Sequence, residues 1–241
     1  MTSRSSGLRI WGVGTPRTLR PHWALAELDL PYETREVLPR TPAMRSPDFL
    51  RVSRRNKVPI LESGELVIGE SGAILFHLAD RHRDRLELAP PSGSDARAVF
   101  DDLCLFVLTE LDAPLYVIRR HAGLPDVYGE SPVAVTAARE YFLRQLEPIH
   151  QRLSDGRPYL LGKTFSAADI LLSSCLTWAK FIGIPTGERL AGYQQRATQR
   201  PAHAAALRKN SPAAAVAAMQ GQSGTGRTSG HELTRPGSDP L

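Results

Sequence analysis

The stretch 56–71 constrains the fold of this chain more than any other part of the sequence. A Val58-Pro59 step leads into a short apolar run, and a Ser-Gly-Glu turn separates that run from a second one. The second run ends at Glu70-Ser71, where a helix is predicted to begin. The pattern predicts a β-hairpin followed by a helix, with the proline holding the backbone of residue 58 in place. Such backbone groups beside a hydroxyl and a carboxylate suit a ligand that is itself a small peptide.

The N-terminal third of the sequence alternates between strand and helix periods. In its first predicted helix, Leu19, Trp23, Ala26 and Leu30 recur at steps of four, three and four and form one apolar face. The predicted order is β-α-β-α-β-β-α, which is one sheet with helices on its faces. Strands are predicted at 8–13, 32–38, 58–61 and 66–68, and helices at 16–29, 46–51 and 71–82.

Beyond residues 83–94, where prolines and a Ser-Gly-Ser run cannot continue a helix, only the helical period is found. One long helix is predicted to bend at Pro114, and another runs through 142–153. Ser166 is followed three residues later by Asp169, which resembles a capping box. We interpret this box as a structural start signal for a further helix.

The 241 residues have room for one large domain or two modest ones. After Met219 the chain carries few large apolar side chains and becomes rich in glycine and serine, which is typical of disorder. The predicted organisation is a disordered N-terminus over 1–7, an α/β domain over 8–82, a linker over 83–94, an all-helical domain over 95–210 and a disordered tail over 211–241.

Composition disfavours several classes of function. The net charge is +5, but the 30 basic residues are spread along the chain without a long basic stripe, so no nucleic-acid partner is expected. No apolar run approaches the ~20 residues that cross a bilayer and no apolar signal segment is seen, so we expect a cytoplasmic protein without a membrane partner. Cys104 and Cys175 lie in apolar helical patterns and the histidines lack ligand spacing, so no metal is expected.

Three local motifs, taken in this order and spacing, resemble the cytosolic glutathione transferase family. They are Lys57-Val58-Pro59, Glu70-Ser71-Gly72-Ala73-Ile74 and Thr164-Phe165-Ser166-Ala167-Ala168-Asp169-Ile170. The similarity covers about residues 8–208 and is to a bacterial-looking member with a serine/threonine-type turn. It implies an α/β thioredoxin-like N-terminal domain plus an all-α C-terminal helical domain, and a homodimer.

The resemblance also implies how glutathione, the co-substrate, is bound. Pro59 is expected to follow a cis bond, and the backbone of Val58 to pair with the cysteinyl part of glutathione like an added strand. Glu70 and Ser71 are expected to hold the ammonium and carboxylate of the γ-glutamyl end, and Lys57 the glycyl carboxylate. From the residues alone, a simple helix cap at Glu70-Ser71 and a solvated loop lysine at Lys57 stay open.

The thiol of glutathione must be activated, because a free thiol has a pKa near ~8.5 and only the thiolate is a good nucleophile. In serine-type members a hydroxyl lies at the turn before the first helix, where this chain has Thr15. The resemblance therefore implies Thr15 as the catalytic hydroxyl, with Thr18 as a second choice and Arg17 adding positive potential. Cysteine-type members carry their cysteine where Arg17 stands. The alternative is that Thr15 merely caps the helix before Pro16.

The electrophile is expected between the two domains, against Tyr116, Arg119 and Arg120, where arginines favour an acidic co-substrate. The predicted function is a glutathione transferase that activates the thiol for attack on a small electrophilic molecule. The alternative is a non-catalytic glutathione-binding or protein-interaction module, since fold alone does not fix function. A thiol-disulfide oxidoreductase is disfavoured, because no cysteine precedes Cys104.

Overall fold

A four-stranded mixed sheet with helices on its faces forms the N-terminal part of the chain. A computed structural model describes residues 7–212. The elements of this part are β1 (Leu8–Trp11), α1 (Pro16–Glu27), β2 (Tyr32–Arg35), α2 (Pro47–Val52), β3 (Ile60–Ser63), β4 (Leu66–Gly69) and α3 (Ser71–Arg81). A short 3-10 turn, Pro42–Arg45, precedes α2.

The strand order is β2-β1-β3-β4. Strand β1 runs parallel to β2 through the α1 crossover and antiparallel to β3, with Trp11 opposite Ile60. The β3–β4 hairpin begins at Ile60 rather than at residue 58, where the sequence predicted it. Val58 and Pro59 stay outside the ladder, and proline has no N–H to contribute to one. The backbone just before the hairpin is thereby left open to the cleft between the domains.

The regular elements in the rest of the described chain are all helices. They are α4 (Asp95–Phe106), α5 (Ala113–His121), α6 (Pro125–Tyr128), α7 (Pro132–Arg152), α8 (Ala167–Phe181), α9 (Glu188–Thr198) and α10 (Pro201–Asn210). Turns and irregular backbone fill residues 82–94, where the linker was predicted.

A π-helical segment, Val107–Asp112, lies between α4 and α5, directly before the position where a bend was predicted at Pro114. Proline cannot donate the normal helical hydrogen bond, and the wider π turn directly before it accommodates that loss. Such segments are frequent at functional sites. Here the segment ends at Asp112, whose side chain is buried and directed toward α1.

Helix α1 joins the two parts of the molecule. Its Trp23 is fully buried and packs against Phe165 and His203, with ring centroids 5.7 and 4.5 Å apart. At the end of α1, Glu27 accepts two hydrogen bonds of 2.6 Å from the Arg200 guanidinium. Because both contacts come from the helical part, the position of α1 relative to that part is fixed.

The Ser166/Asp169 pair has the geometry of a structural helix start. The buried Asp169 carboxylate accepts from the Ser166 backbone N–H at 2.8 Å and from its hydroxyl at 2.9 Å. It also accepts from the Leu160 N–H at 2.9 Å and from the Tyr193 hydroxyl at 2.7 Å. These bonds tie α8 to the preceding loop and to α9, which is the role interpreted from sequence.

Within residues 7–212, no helix combines the length and apolar character needed to cross a membrane. The two segments predicted to be disordered, 1–7 and 211–241, lie outside the described residues except at residues 7, 211 and 212.

Candidate active site

A cleft of about 900 Å³ opens between the sheet and the helical part. Its walls come from α1, from the loop between α2 and β3, from the start of α3 and from the α4–π–α5 segment. The basic side chains that line it are Arg17, Arg20, Arg51, Arg54, Arg55, Lys57 and Arg120, and the acidic ones are Glu70 and Asp112. Cations therefore dominate its surface, which suits an anionic ligand.

The loop before Val58 is held by a buried serine that sequence analysis missed. The Ser53 hydroxyl donates to the Lys57 carbonyl at 2.9 Å and accepts from the Lys57 N–H at 3.0 Å. The Val58–Pro59 bond is cis, as the resemblance implies. Among the described residues neither the N–H nor the C=O of Val58 has a hydrogen-bond partner. An extended peptide can pair with such a free edge.

Gly12, just after β1, allows this loop to approach. Its φ is +119°, and a Cβ there would lie 2.6 Å from the Val58 Cβ. Any larger residue would therefore displace Val58. It would also be strained by the positive φ of this position, which favours glycine. Glycine at position 12 thus places Val58 at the cleft floor.

Glu70 and Ser71 lie where α3 points its N-terminus at the cleft. Glu70 has a φ of +64°, a conformation that costs a non-glycine residue about 1–3 kcal/mol. Its exposed carboxylate pairs with Arg55 at 3.1 Å. The Ser71 hydroxyl is nearly buried and accepts a hydrogen bond from Arg20 Nη1 at 3.0 Å. The hydroxyl proton of Ser71 is thereby left to donate into the cleft.

Arg20 is the buried centre of this wall. Its guanidinium donates to Ser71, to Ser174 Oγ at 2.7 Å and to Asp112 Oδ2 at 2.5 Å. Burial alone would raise the pKa of Asp112, but Arg20 and Arg17 outweigh it and hold that pKa below its usual range. The carboxylate therefore stays charged and orders both arginines.

Thr15 forms the N-cap of α1 and shares a reciprocal pair of bonds with Thr18. Thr15 Oγ1 accepts from the Thr18 N–H at 3.0 Å, and the Thr15 N–H donates to Thr18 Oγ1 at 2.9 Å. Thr18 is fully buried and its hydroxyl donates to Asn210 Oδ1 at 2.7 Å. Neither threonine lines the cleft, although Thr15 is partly exposed. The structure thus places Arg17 in the cleft lining but neither Thr15 nor Thr18, and Thr15 keeps only a partly exposed position beside the cleft.

The residues predicted for the electrophile separate into two groups. Tyr116 and Arg120 line the cleft, whereas Arg119 donates to the Gly123 carbonyl at 3.1 Å and lies outside it. The Arg17 and Arg120 guanidinium carbons lie 4.4 and 4.5 Å from the Tyr116 ring centroid. Arg119 and Arg120 diverge because successive helical residues point about 100° apart.

The sequence matches the family described as "Glutathione S-transferase, N-terminal domain" over residues 6–80 and the one described as "Glutathione S-transferase, C-terminal domain" over residues 132–207. Glutathione S-transferase 1 of Schizosaccharomyces pombe is 31% identical over 166 residues, covering 67% of this chain and 69% of that relative. The chain belongs to the glutathione S-transferase family.

Solved transferase structures share the fold of this transferase. A glutathione transferase from Methylococcus capsulatus is 29% identical with a TM-score of 0.72, and the match covers 84% of this chain and 98% of that chain. A sphingomonad glutathione S-transferase complexed with glutathione is 30% identical with a TM-score of 0.72, with the same coverage of 84% and 98%. The predicted family and the predicted fold class, a thioredoxin-like domain followed by a helical domain, are confirmed.

Besides Ser53, three further polar residues that order the transferase's cleft were not predicted from the sequence, namely Arg20, Asp112 and Asn210. The sequence does contain a pattern that could have indicated Asp112 and Arg20, because both are charged residues beside apolar positions of a predicted helix. No local pattern indicates Asn210, because its amide bonds to Thr15 and Thr18, which are 195 and 192 positions away.

Proposed function

We propose that this transferase binds glutathione along Val58 and conjugates it to a small electrophile in the cleft. The observation that supports this is that the N–H and C=O of Val58 form no hydrogen bond within residues 7–212 and lie on the same cleft as the N-terminus of α3. The cysteinyl unit would pair with Val58 as an added strand. The sphingomonad relative complexed with glutathione supports this ligand.

The two ends of glutathione carry different charges and would meet different groups. Ser71 and the N–H groups of α3 suit the γ-glutamyl carboxylate, because a helix N-terminus favours anions. The Glu70 carboxylate suits the ammonium next to that carboxylate of glutathione. To bind the ammonium, Glu70 would either break its ion pair with Arg55 or bind both cations at once. Lys57, on the exposed loop, suits the glycyl carboxylate.

The sulfur would then point toward the N-terminus of α1. There the Thr15 hydroxyl would donate to the thiolate, and Arg17 would add positive potential. Lowering the thiol pKa by about two units needs about 2.7 kcal/mol of preferential stabilisation of the thiolate. A hydroxyl, a helix N-terminus and a nearby guanidinium can supply that amount together.

Attack on an electrophilic carbon forms a C–S bond while the leaving group departs with its electron pair. The proton of the thiol passes to solvent when the thiolate forms. The protein's part in this step is to hold the sulfur and the carbon in contact and to stabilise the thiolate. No group of the chain has to be covalently modified.

We also propose a cytoplasmic homodimer. Apolar side chains on the edge strand β4 and on α4 are exposed, and such patches mark protein interfaces. They are Leu66, Val67, Val99 and Leu105, at 39%, 39%, 45% and 54% exposure. Both cysteines are free, as is usual in a reducing compartment.

Glutathione titrated into wild-type protein and into Ser71→Ala in a calorimeter tests the binding site. The hydroxyl's bond to a carboxylate is expected to be worth about 1.5–3 kcal/mol, so the affinity should fall at least about tenfold. Ser154→Ala, at an exposed position outside the cleft lining, serves as the control and should bind like wild type. The absence of any heat with wild-type protein would contradict the proposed site.

Turnover is measured separately with chlorodinitrobenzene. Chloride should be released and the thioether formed at a rate above the uncatalysed reaction. Binding of glutathione without such turnover would restrict the protein to a binding role toward this class of electrophile.

A further inference from the structure

The helical side of the cleft presents one aromatic ring between two guanidinium groups. Arg17 and Arg120 lie 4.4 and 4.5 Å from the ring centroid of Tyr116, and all three residues line the cleft. Arg120 also lies 5.4 Å from the Tyr128 ring centroid. Stacking on aromatic rings restricts a guanidinium and leaves its N–H groups available at the edge.

The carboxylates of the cleft do not neutralise its cations. Asp112 is bound by Arg17 and Arg20, and Glu70 pairs with Arg55. Within residues 7–212, Arg54, Lys57 and Arg120 form no ion pair. Glutathione carries two carboxylates and one ammonium, so it removes only part of this excess. Positive charge therefore remains beside Tyr116, where Arg120 has no carboxylate partner within residues 7–212.

The pKa of the Tyr116 phenol depends on a neighbouring phenol as well as on the cations of the cleft. Burial alone would raise the pKa of Tyr116, but hydrogen bonds with Tyr128 and Arg120 and the charges of Lys57 and Arg120 lower it below its usual range. The two cations among these groups, Lys57 and Arg120, would also favour an anion placed beside the ring.

We propose that the electrophile of this transferase carries a carboxylate, which Arg120 binds through the guanidinium N–H groups that its stack on Tyr116 leaves at the edge. This rests on the proposed function and names its substrate class. Leu108 also lines the cleft and offers an apolar contact for the body of the molecule. For an aryl chloride of this kind, the thiolate forms the C–S bond, chloride leaves with its electron pair and the carboxylate is unchanged.

Two matched pairs of compounds test the substrate class. Chlorodinitrobenzoate and its carboxamide differ only in the charged group, as do the glutathione conjugates that they form. Calorimetry with the two conjugates measures the charge preference of the site without any need for turnover. The wild-type protein is expected to bind the carboxylate conjugate about tenfold more tightly, as a charge-assisted hydrogen bond would give.

Arg120→Gln should abolish that preference, bringing the two affinities within about twofold of each other. Arg144→Gln is the matched control, because Arg144 also lies over a tyrosine ring, 5.6 Å from the centroid of Tyr141, but does not line the cleft. It should keep the tenfold preference. Equal binding of both conjugates by wild type, no binding of either, or an unchanged preference in Arg120→Gln would each overturn the inference.

Turnover of the two chlorides separates this inference from the proposed function. Preferential binding of the carboxylate conjugate without turnover of either chloride would leave the anion site standing and contradict conjugation. Turnover of both chlorides with no charge preference in rate or in conjugate binding would leave conjugation standing and overturn the anion site.

Discussion

The Arg20 guanidinium in α1 lies 2.5 Å from the Asp112 carboxylate at the end of the π-helical segment. The exposure of the two side chains is 1% and 5%, so this ion pair is buried between the sheet and the helical part. The same guanidinium holds the Ser71 hydroxyl at 3.0 Å. One buried pair therefore fixes both the contact between the two parts and a group of the proposed glutathione site.

Removing one member of this pair should be strongly destabilising. Arg20→Met leaves Asp112 buried with only Arg17, and Asp112→Asn leaves Arg20 buried without a countercharge. We expect each to lower the free energy of unfolding by about 3 kcal/mol, measured by urea denaturation. The double variant should lose less than the sum, because neither charge is then left alone. Additive losses would show that the two charges do not depend on each other.

Thr15 can be tested separately as a helix cap and as a hydroxyl donor. Aspartate caps a helix as well as threonine does, but it has no proton to donate and its charge opposes a thiolate. Thr15→Asp should therefore unfold within about 0.5 kcal/mol of wild type yet lose about 100-fold in kcat/KM for conjugation. Thr15→Ser keeps both the cap and the donor and should stay close to wild type in both respects. Undiminished turnover in Thr15→Asp would leave Thr15 as a cap alone.

Glu70 should show a conflict between stability and binding. Its φ of +64° is strained for glutamate and unstrained for glycine, so Glu70→Gly should raise the free energy of unfolding by about 1 kcal/mol. The same change should weaken glutathione binding, because the ammonium loses its carboxylate. Glu70→Gln is the companion variant, with the charge lost and the strain kept. A Glu70→Gly protein that is less stable than Glu70→Gln would contradict this explanation.

His22 should make the fold sensitive to acid. Its Nε2 donates to the Gly12 carbonyl at 3.1 Å and its Nδ1 accepts from the Tyr32 hydroxyl at 2.9 Å, because a carbonyl can only accept. Burial lowers the pKa of His22 to about 4, whereas the unfolded chain should titrate near ~6.5. Folding thus favours the neutral imidazole of His22. Its contribution to the free energy of unfolding is fully present above pH ~6.5.

As the pH falls from ~6.5 toward ~4, His22 binds a proton in the unfolded chain but not in the folded chain, so the free energy of unfolding decreases. The loss from His22 should reach about 2 kcal/mol at pH ~5. Urea denaturation of wild type and His22→Gln over this range measures it. The variant starts from a lower stability near neutral pH and should change less with pH. Parallel pH profiles would show that His22 does not cause the acid sensitivity.

The elements that local chemistry determines could be predicted from the sequence. The hairpin and the start of α3 follow from a proline, a tight turn and an apolar run, all within the stretch 56–71. The box at Ser166 and Asp169 is likewise local, since its members are three residues apart. The boundaries moved by one to three residues, because the ends of strands depend on which neighbours pair with them.

The parts of the site that depend on packing could not be predicted. Arg20 and Asp112 are 92 positions apart, and Thr18 and Asn210 are 192 apart. Arg119 and Arg120 are adjacent in sequence and equally suitable by residue type, yet only Arg120 lines the cleft. The rotation of α5 about its axis decides this, and that rotation is set by contacts with other helices.

The thiol pKa of bound glutathione tests the central claim most directly. It can be followed by the ultraviolet absorbance of the thiolate as the pH of the complex is varied. A site built from the α1 N-terminus, Thr15 and Arg17 predicts a pKa about one to two units below the free value of ~8.5. A bound thiol that titrates at or above the free value would contradict thiolate stabilisation by this cleft.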